Sequence, residues 1–319
     1  MKVRWRSGKT TKDITKYVES VEWEGTDTQV SRTVALSVIF NYDKKVYLNI
    51  KNGDLIYLNE SKDIFVGVVT YCERTGDVGT VSYTVKDFMH YLLRAQGSYN
   101  FKKTTPEKIA KKVCSDLLIQ TGSLFATKTY LKSKLYEDEN YYNIIVDAYN
   151  SAAKKMSGKY PPAFMPAMNG MKLSVIIKGQ SSGITLDSRN DITSSNFSQD
   201  TENMVNTVSI VNDKGKVIGS VSNSSNVKKY GVYKTTYKKE DGVNAKSAAK
   251  QLLTGITKEA TVEAIGRIQC IAGYSVIIKD AATKLKGKFY IESDRHTWKD
   301  GVYTMQLTLK FSNELEEVT

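Results

Sequence analysis

Alternating apolar and polar residues mark the first part of the chain. Short runs such as KYVESVEW, RTVALSVIF and VSYTVKDF are rich in β-branched residues and are bounded by Gly, Asp or Asn. A period of two is that of a strand with one buried face, and many short strands with turn residues between them are typical of a barrel or sandwich. The pattern therefore predicts a β-barrel over residues 1–95.

At about residue 96 the apolar period changes to that of a helix. TTPEKIAKKVCSDLLIQTG predicts one helix, with Thr105 as N-cap and Gly122 as its end. EDENYYNIIVDAYNSAAKKMSG predicts a second helix, with Glu137–Glu139 at its positive end and Gly158 as terminator. Together with the loop YPPAFMP and the strand MKLSVIIKG, these helices predict a central α+β domain.

Strand patterns return from about residue 184. NTVSIVND and KVIGSVS are joined by the turn NDKG and predict a hairpin, and NAKSAAKQLLTGI predicts a short amphipathic helix. The last part of the chain, from RIQCIAGYSVIIKD to VYTMQLTLKF, again predicts strands.

A weak internal repeat connects the two β-rich parts of the sequence. Gly53 begins GDLIYLNESKDIFVG and Gly273 begins GYSVIIKDAATKLKG, and each run ends at a glycine fourteen residues later, at Gly67 and Gly287. Each copy then continues through a strand, a polar segment and a last alternating strand. Equal spacing, order and strand character favour a duplication of one barrel.

The same order of features extends upstream of the glycines. The tripeptide DIT begins at Asp13 and at Asp191, and a strand containing TV follows at Thr33 and at Thr207. From DIT to the first glycine is 40 residues in the first copy and 82 in the second, so the second copy is expected to carry an insertion of roughly forty residues.

These patterns define an α+β, mainly β fold. We expect two similar tube-like β-barrel domains, a central α+β unit and a small helical insertion in the second barrel. The expected boundaries are 1–95 for the first β-barrel, 96–180 for the central α+β domain, 181–235 and 268–319 for the second β-barrel, and 236–267 for the helical insertion.

Composition and charge narrow the class of protein only slightly. Of 319 residues, 40% are hydrophobic and only 4 are proline, which is typical of folded protein, and the net charge of +12 favours anionic partners. Neither a signal peptide nor a membrane-spanning run is apparent, so the chain is expected in the cytoplasm. Cys72, Cys114 and Cys270 lack metal-ligand spacing and are expected to be buried free thiols.

Ser293, Asp294, Arg295 and His296 are the most chemically suggestive neighbours in the sequence. They are expected in a hairpin turn, where consecutive side chains point to different sides and cannot form a catalytic triad among themselves. His296 and Trp298 are instead expected to close the hairpin. No nucleotide-binding, zinc-protease, nucleophile-elbow or EF-hand motif occurs, so no catalytic residue, cofactor or metal is expected.

A second stretch combines lysines with aromatic residues. KKYGVYKTTYKKED, at residues 228–241, interleaves three tyrosines with five lysines. Such a mixture can stack on bases and neutralise phosphates, but it is also typical of a strand with solvated lysines and tyrosines at its edge. The rest of the positive charge is scattered, which favours the second interpretation.

Several of these stretches resemble one known family. KKYGVYK, NAKSAAKQLL and the terminal AGYSVIIKD…LKGKFYIESDRHTWKDGVYTMQLTLKF are similar to the C-terminal half of the XkdQ/YqbQ-type proteins, relatives of the late control protein D group. The features that carry the likeness are Tyr230, Gly231, the strand Gly287–Ile291, His296 and the closing alternating strand. The middle segment and the N-terminal strands also resemble that family, so the likeness covers nearly the whole chain.

This resemblance implies a structural role. The family forms the baseplate hub of contractile phage tails and tail-derived bacteriocins, as a homotrimeric ring with two barrels from each chain. Six quasi-equivalent barrels would then face the hexameric inner tube, with the central spike on the other side. The implied partners are the chain itself, the tail tube protein and the spike, with other baseplate and tape-measure proteins as further candidates.

Two other functions remain as alternatives at this stage. The net charge and the lysine–tyrosine stretch allow a nucleic-acid-binding barrel protein. A cell-wall hydrolase would need a pair of carboxylates that the sequence does not single out. The resemblance itself implies an adaptor and nucleation platform for assembly, not an enzyme.

Overall fold

Strands make up most of the chain. The computed structural model describes residues 1–28, 31–41, 47–74, 76, 78–156 and 162–311. Its strands are β1 (Lys2–Ser7), β2 (Thr10–Asp13), β3 (Val18–Thr26), β4 (Thr33–Asn41), β5 (Leu55–Asn59), β6 (Asp63–Arg74), β7 (Val78–Asp87), β8 (Gln96–Thr104), β9 (Gln120–Leu124), β10 (Leu131–Asn140), β11 (Phe164–Asn169), β12 (Lys172–Ile177), β13 (Gln180–Asp187), β14 (Ile192–Asp200), β15 (Thr207–Val211), β16 (Val217–Ser222), β17 (Lys234–Lys238), β18 (Thr257–Ile265), β19 (Tyr274–Lys279), β20 (Lys286–Lys299) and β21 (Val302–Lys310). Its helices are α1 (Met89–Arg94), α2 (Pro106–Asp116), α3 (Tyr141–Ala153), α4 (Ser224–Tyr230) and α5 (Ala245–Gln251), with a 3₁₀ turn at Thr15–Tyr17. The prediction of a mainly β, α+β fold is confirmed.

One 13-stranded sheet contains most of these strands. Its main path is β14-β18-β21-β20-β3-β4-β7-β6-β5-β1-β2, and β19 pairs with both β20 and β13. We call β1–β7 the N-terminal half and β13, β14 and β18–β21 the C-terminal half of the sheet. The two halves meet where β3 pairs antiparallel with β20.

The two halves repeat one strand order. The path β3-β4-β7-β6-β5 in the N-terminal half has the same order as β14-β18-β21-β20-β19 in the C-terminal half. The next strand differs in direction, since β1 pairs antiparallel with β5 whereas β13 pairs parallel with β19. In this order β4 corresponds to β18, and Thr207 lies on β15 outside the large sheet. The expected correspondence of Thr33 with Thr207 is therefore wrong.

The glycines that suggested the repeat do not occupy the same register. The Gly53 N–H donates to the Val69 carbonyl, two residues after Gly67. The Gly273 N–H donates to the Ile291 carbonyl, four residues after Gly287. The two glycine pairs are equally spaced in the sequence, but the hydrogen bonds of Gly53 and Gly273 differ in register by two residues. The repeated strand order is therefore the stronger sign of internal likeness.

Alternation along β3 and β4 builds the core of the N-terminal half. Val21 and Trp23 on β3, and Val34, Leu36 and Val38 on β4, are buried, while the residues between them are more exposed. Each fully buried apolar side chain of this size contributes about 1.5–3 kcal/mol to the free energy of unfolding. The period-two pattern therefore identified this core face correctly.

The central region contains both predicted helices, but their ends differ from the predictions. α2 ends at Asp116 because Leu118 adopts a left-handed conformation (φ 57°), and Gly122 lies in β9 instead. The acidic run at 137–139 belongs to β10, and Asn140 caps α3 by accepting from the backbone N–H groups of Tyr142 and Asn143. Gly158 lies outside the described residues. The two helices share one core with β9, β11 and β12, which is centred on Ile109, Val113, Ile145, Tyr149, Phe164 and Leu173.

Residues 196–260 form a separate compact unit, and residues 1–195 and 261–319 form the other. In the smaller unit β15 pairs antiparallel with β16, as the predicted hairpin requires, and parallel with β17. Val208, Ile210, Val221 and Ala249 form its own core beneath α5. This unit begins earlier than the expected insertion at 236–267 and includes the hairpin that was assigned to the second barrel.

The structure also tests the predictions for cysteines and membrane spans. Cys114 and Cys270 are buried free thiols, as expected, but Cys72 is exposed near the end of β6, so its predicted burial is wrong. Among the helices of the described residues, none has both the length and the apolar character needed to cross a bilayer.

Candidate functional site

The residues expected in a hairpin turn lie on a strand. β20 continues through Lys299, and the turn to β21 is made by Asp300 and Gly301, which both have positive φ. β20 pairs with β21 on one side and with β3 on the other, which places Asp294 opposite Gly25 and His296 opposite Trp23. The prediction of a turn at 293–296 is therefore wrong, and these side chains lie where the two halves of the sheet meet.

An ion pair of opposite charges crosses this junction. Arg32 immediately precedes β4 and donates through Nη1 to Asp294 Oδ1 (2.9 Å), while Nη2 contacts Asp294 Oδ2. The Asp294 side chain has no exposed surface and Arg32 retains 18%. Burial alone would raise the pKa of Asp294, but the Arg32 charge and its hydrogen bonds, together with those of His296, hold that pKa at about 2. Asp294 is therefore ionised at neutral pH.

The surroundings keep Arg32 in one orientation. Its guanidinium carbon lies 4.1 Å from the centroid of the Trp23 ring, a cation–π contact. A Cβ atom at Gly25 would lie 2.5 Å from Arg32 Nη1, so only glycine leaves room for the guanidinium beside β3. Asp294 Oδ1 also accepts from the Ala272 N–H at 2.6 Å, which ties the segment before β19 to the same carboxylate.

His296 is built into the packing of the junction. Its Nδ1 lies 2.9 Å from the Tyr303 hydroxyl and its Nε2 lies 3.1 Å from the Cys270 carbonyl. Its Nε2 also lies 3.3 Å from Asp294 Oδ2, so the ring contacts Tyr303, Cys270 and Asp294 together. His296 has no exposed surface, so a substrate cannot reach it in this structure.

Trp298 extends the same aromatic layer along β20. Its ring stacks on Tyr303 with centroids 4.2 Å apart and an interplanar angle of 11°. Trp23 and His296 have ring centroids 5.1 Å apart. The aromatic residues therefore link β3, β20 and β21, and both Trp298 and His296 contact Tyr303 across the β20–β21 hairpin, which agrees with their expected place in closing it.

A second buried carboxylate holds the segment that carries Arg32. Asp87, at the end of β7, accepts from Ser31 Oγ (2.8 Å), from the Arg32 N–H (3.1 Å) and from the Met89 N–H (3.1 Å). Burial raises the pKa of Asp87 to about 6, although these three hydrogen bonds oppose the rise. Asp87 thus fixes the backbone from which Arg32 reaches the C-terminal half.

Asp27 forms a further charged contact at the end of β3. It lies 3.8 Å from Lys178 Nζ and 3.2 Å from Lys310 Nζ. Burial would lower the pKa of Lys310, but Asp27 and Glu292 reverse that effect and raise it. The backbone N–H of Asp27 also donates to the Glu292 carbonyl at 2.7 Å. Segments from the N-terminal half, the central region and the C-terminal half thus converge on this one carboxylate.

The remaining sequence-predicted residues are not brought to this junction. Gly231 ends α4 with φ 81°, and its carbonyl accepts from Asn206 Nδ2 at 2.7 Å. Tyr230 contacts Lys229 within the smaller unit. Gly67 lies in the middle of β6, whereas Gly53 and Gly273 precede β5 and β19 with positive φ. Lys228 and Lys229 of the lysine–tyrosine stretch are on α4, and Lys234 and Lys238 are on β17.

Sequence reasoning missed Arg32, the charged partner of Asp294, and Asp87, which holds the Arg32 backbone. They lie 262 and 207 residues from Asp294 in the sequence, and no spacing rule joins them to it. Gly25, between Glu24 and Thr26 near the end of β3, was the one available signal, because glycine inside a strand often marks a close approach of another group.

The fold defined by the large sheet and its junction is that of phage and prophage tail proteins. The chain resembles the 43 kDa tail protein of prophage MuSo2 from Shewanella oneidensis with a TM-score of 0.70, 14% identity and 97% coverage of both chains. It resembles a tail protein from Neisseria meningitidis MC58 with a TM-score of 0.65, 17% identity, and 97% and 96% coverage of this chain and that one. These likenesses show a shared fold.

The chain belongs to the YQBQ-like family, whose model matches residues 21–310. It is 25% identical over 311 residues to the phage-like element PBSX protein XkdQ of Bacillus subtilis, and 23% identical over 313 residues to YqbQ of the same organism, with 94% of both chains covered in each case. It also resembles the E. coli c3393 protein, a component of the type VI secretion system that is structurally similar to T4 tail proteins gp27 and gp5, with a TM-score of 0.55, 10% identity, and coverage of 94% and 75%.

Proposed function

We propose that this protein is a structural hub in the baseplate of a contractile phage tail or a tail-derived particle. The observation that carries the proposal is the repeated strand order of the large sheet, with its two halves joined through β3 and β20. A ring of three such chains presents six similar elements, which is the number needed to meet a hexameric tube. Membership of the YQBQ-like family and similarity to a phage-like element protein support the same role.

The proposed division of the chain follows from this role. Residues 1–95 and the C-terminal strands serve as the two tube-facing barrels, the central region lies between them in sequence, and the smaller unit is an excursion from the second barrel. The buried contacts of Arg32, Asp87 and Asp294 suit such a part, because they hold two barrels of one chain in a fixed geometry. A ring that templates a tube requires this rigidity.

The proposed partners are two further copies of the chain, the tail tube protein and the central spike. Similarity to a chain of the solved PdpA–VgrG complex supports a place in a multiprotein assembly of this kind. Assembly in the bacterial cytoplasm, followed by incorporation into the particle, accords with the family. The buried positions of Asp294 and His296 favour a structural over a catalytic use of these residues.

Light scattering combined with size-exclusion chromatography tests the ring directly. We expect a mass of about three times the 35.7 kDa chain, alone or with the spike added. Electron microscopy of the particle is expected to place the protein between tube and spike. A chain that stays monomeric and binds neither tube nor spike would contradict the proposal.

A further inference from the structure

An open groove lies on the N-terminal half of the sheet, beside the end of β7. It has a volume of about 550 Å³ and is formed by β6, β7, α1 and the turn before β5. Its lining includes Gly53, Tyr71, Lys86, His90, Tyr91 and Arg94. A volume of this size accommodates a few side chains or a small ligand.

A β-bulge shapes one wall of the groove. Val69 pairs with Val85 and Tyr71 pairs with Thr84, so Thr70 is an extra residue on β6. Its hydroxyl donates to the Thr84 carbonyl at 3.2 Å. Bulges redirect the side chains beside them, and Tyr71 is 51% exposed here. An aromatic ring is thus presented to solvent where β6 changes from its buried stretch to its exposed end.

The opposite side of the groove is cationic and aromatic. Lys86, opposite Val68 in the ladder, and Arg94, in the last turn of α1, contribute two positive charges. His90 and Tyr91 have ring centroids 5.8 Å apart. Burial lowers the pKa of His90, and the neighbouring Lys86 and Arg94 charges lower it further.

Among the residues that the structure describes, the lining of the groove contains no compensating negative charge. No carboxylate is among its lining residues, and neither Lys86 nor Arg94 has a salt-bridge partner within the described part of the chain. The charges at the junction, in contrast, are matched by Asp27 and Asp294. Two cations and a titratable histidine beside exposed tyrosines define a site for a ligand that carries negative charge and a nonpolar group.

We propose that the groove formed by Tyr71, Lys86, His90, Tyr91 and Arg94 binds an acidic polypeptide segment of a partner protein. Carboxylate side chains would pair with Lys86 and Arg94, and an apolar or aromatic side chain would lie against Tyr71 and Tyr91. A protein segment suits the groove better than nucleic acid, because single-stranded nucleic acid needs a continuous positive track with repeated stacking positions, and this site is local. The inference does not depend on the proposed hub role.

Two histidines in the whole chain make the test direct. In full-length protein labelled with ¹⁵N-histidine, the His90 signals report the groove, and the buried His296 signals report the fold. The probe is the peptide acetyl-Ala-Glu-Phe-Glu-Ala-amide, with the same peptide carrying glutamine in place of glutamate as its neutral counterpart. We expect saturable shifts of His90 with the glutamate peptide, no shift of His296, and weaker binding of the glutamine peptide by at least about tenfold.

Substitutions assign the binding to the groove. The double substitution K86Q and R94Q is expected to lower the affinity for the glutamate peptide at least about tenfold. K132Q, at an exposed position of β10, is expected to leave that affinity unchanged. Unchanged His296 signals in each variant exclude misfolding as the cause.

Three results would overturn the proposal. The first is that the His90 signals do not shift when the glutamate peptide is added to about 10 mM. A site with even weak affinity would be partly occupied at that concentration. The second is equal binding of the glutamate and glutamine peptides. The third is that a six-nucleotide deoxythymidine strand shifts the His90 signals at lower concentration than the peptide does and displaces the bound peptide. That result would assign the groove to nucleic acid.

Discussion

At the scale of single residues, the buried pair of Arg32 and Asp294 dominates the junction. Removing one member of a buried pair leaves the other charge without compensation, which costs about 3–5 kcal/mol, whereas exposed pairs contribute little. The chain offers a matched comparison, because Arg295 follows Asp294 on the same strand and pairs with Glu22 and Glu24 at a position that is 52% exposed.

We expect D294N to lower the free energy of unfolding by about 3 kcal/mol, because Arg32 would then be buried without its counter-charge. R32M combined with D294N is expected to cost less than the sum of the two single substitutions, since the pair interact directly. Urea denaturation followed by tryptophan fluorescence measures each variant.

R295M is the control for these substitutions and is expected to cost less than about 1 kcal/mol. Additive effects of R32M and D294N, or an equal loss for R295M, would show that the buried pair does not hold the junction.

The two buried carboxylates predict opposite pH dependences in adjacent ranges. Asp294 has a folded pKa of about 2, below its ordinary value of 3.8, so it adds stability above pH 4 that is lost as the pH falls towards 2. Asp87 has a folded pKa of about 6, above 3.8, so its ionisation reduces stability as the pH rises from 4 to 6. Each slope is at most about 1.4 kcal/mol per pH unit.

Unfolding free energies of the wild type, D294N and D87N at several pH values test these signs. The wild-type advantage over D294N should shrink below pH 4, and the wild type should lose stability relative to D87N between pH 4 and 6. Parallel pH profiles for all three proteins would contradict both assignments.

At the scale of strands, close backbone approach limits which residues the sheet accepts. Gly67 lies in β6, where an added Cβ would be 2.6 Å from the Lys86 backbone carbonyl of β7 and 2.6 Å from Phe65 Cζ. A backbone carbonyl in a ladder cannot move aside without opening the strand pair. Gly219, in β16, would place its Cβ at an ordinary 3.8 Å from Ile210 Cδ1.

G67A is therefore expected to destabilise the protein by about 1–3 kcal/mol through overpacking between β6 and β7. G219A is its matched control, because both glycines lie in strands without positive φ, and it should be neutral or slightly stabilising. Denaturant midpoints of the two variants measure the difference. A neutral G67A would show that β6 and β7 separate more easily than their register implies.

At the scale of the whole molecule, the smaller unit enters between β14 and β18. In the N-terminal half the corresponding strands β3 and β4 are connected by only residues 27–32. The smaller unit has its own core around Val208 and Ile210, so the large sheet does not need it for its hydrophobic interior. A short linker between β14 and β18 should therefore be enough for the large sheet to fold.

Replacing residues 201–256 by a six-residue Gly/Ser linker is expected to leave the large sheet folded. Trp5, Trp23 and Trp298 are the three tryptophans of the chain and all lie outside the smaller unit, so the fluorescence maximum of the variant should match that of the intact protein. The His296 signals described above provide a second check. A fluorescence maximum shifted to longer wavelength, or an unfolding curve without a cooperative transition, would show that the large sheet depends on the smaller unit.

Much of this organisation was open to prediction because it depends on local periodicity. Alternation located the buried faces of β3 and β4, and the 3.6-residue period located α2 and α3, since neighbouring positions decide which side of an element is apolar. Element ends were less predictable. A polar run such as 137–139 suits both a helix N-terminus and an exposed strand, and only its pairing with β8 decided between them.

The sequence by itself determined the mainly β class, the central helices and the likeness to the YQBQ-like family, because these depend on composition, period and order along the chain. The tertiary structure decided where β20 runs and which charges meet. Arg32 meets Asp294 because β3, the neighbour of β4, pairs with β20, and it meets Asp87 because β4 pairs with β7. Non-local strand pairing has no local signature, so a segment that resembled a turn with catalytic residues is instead a buried strand that joins the two halves.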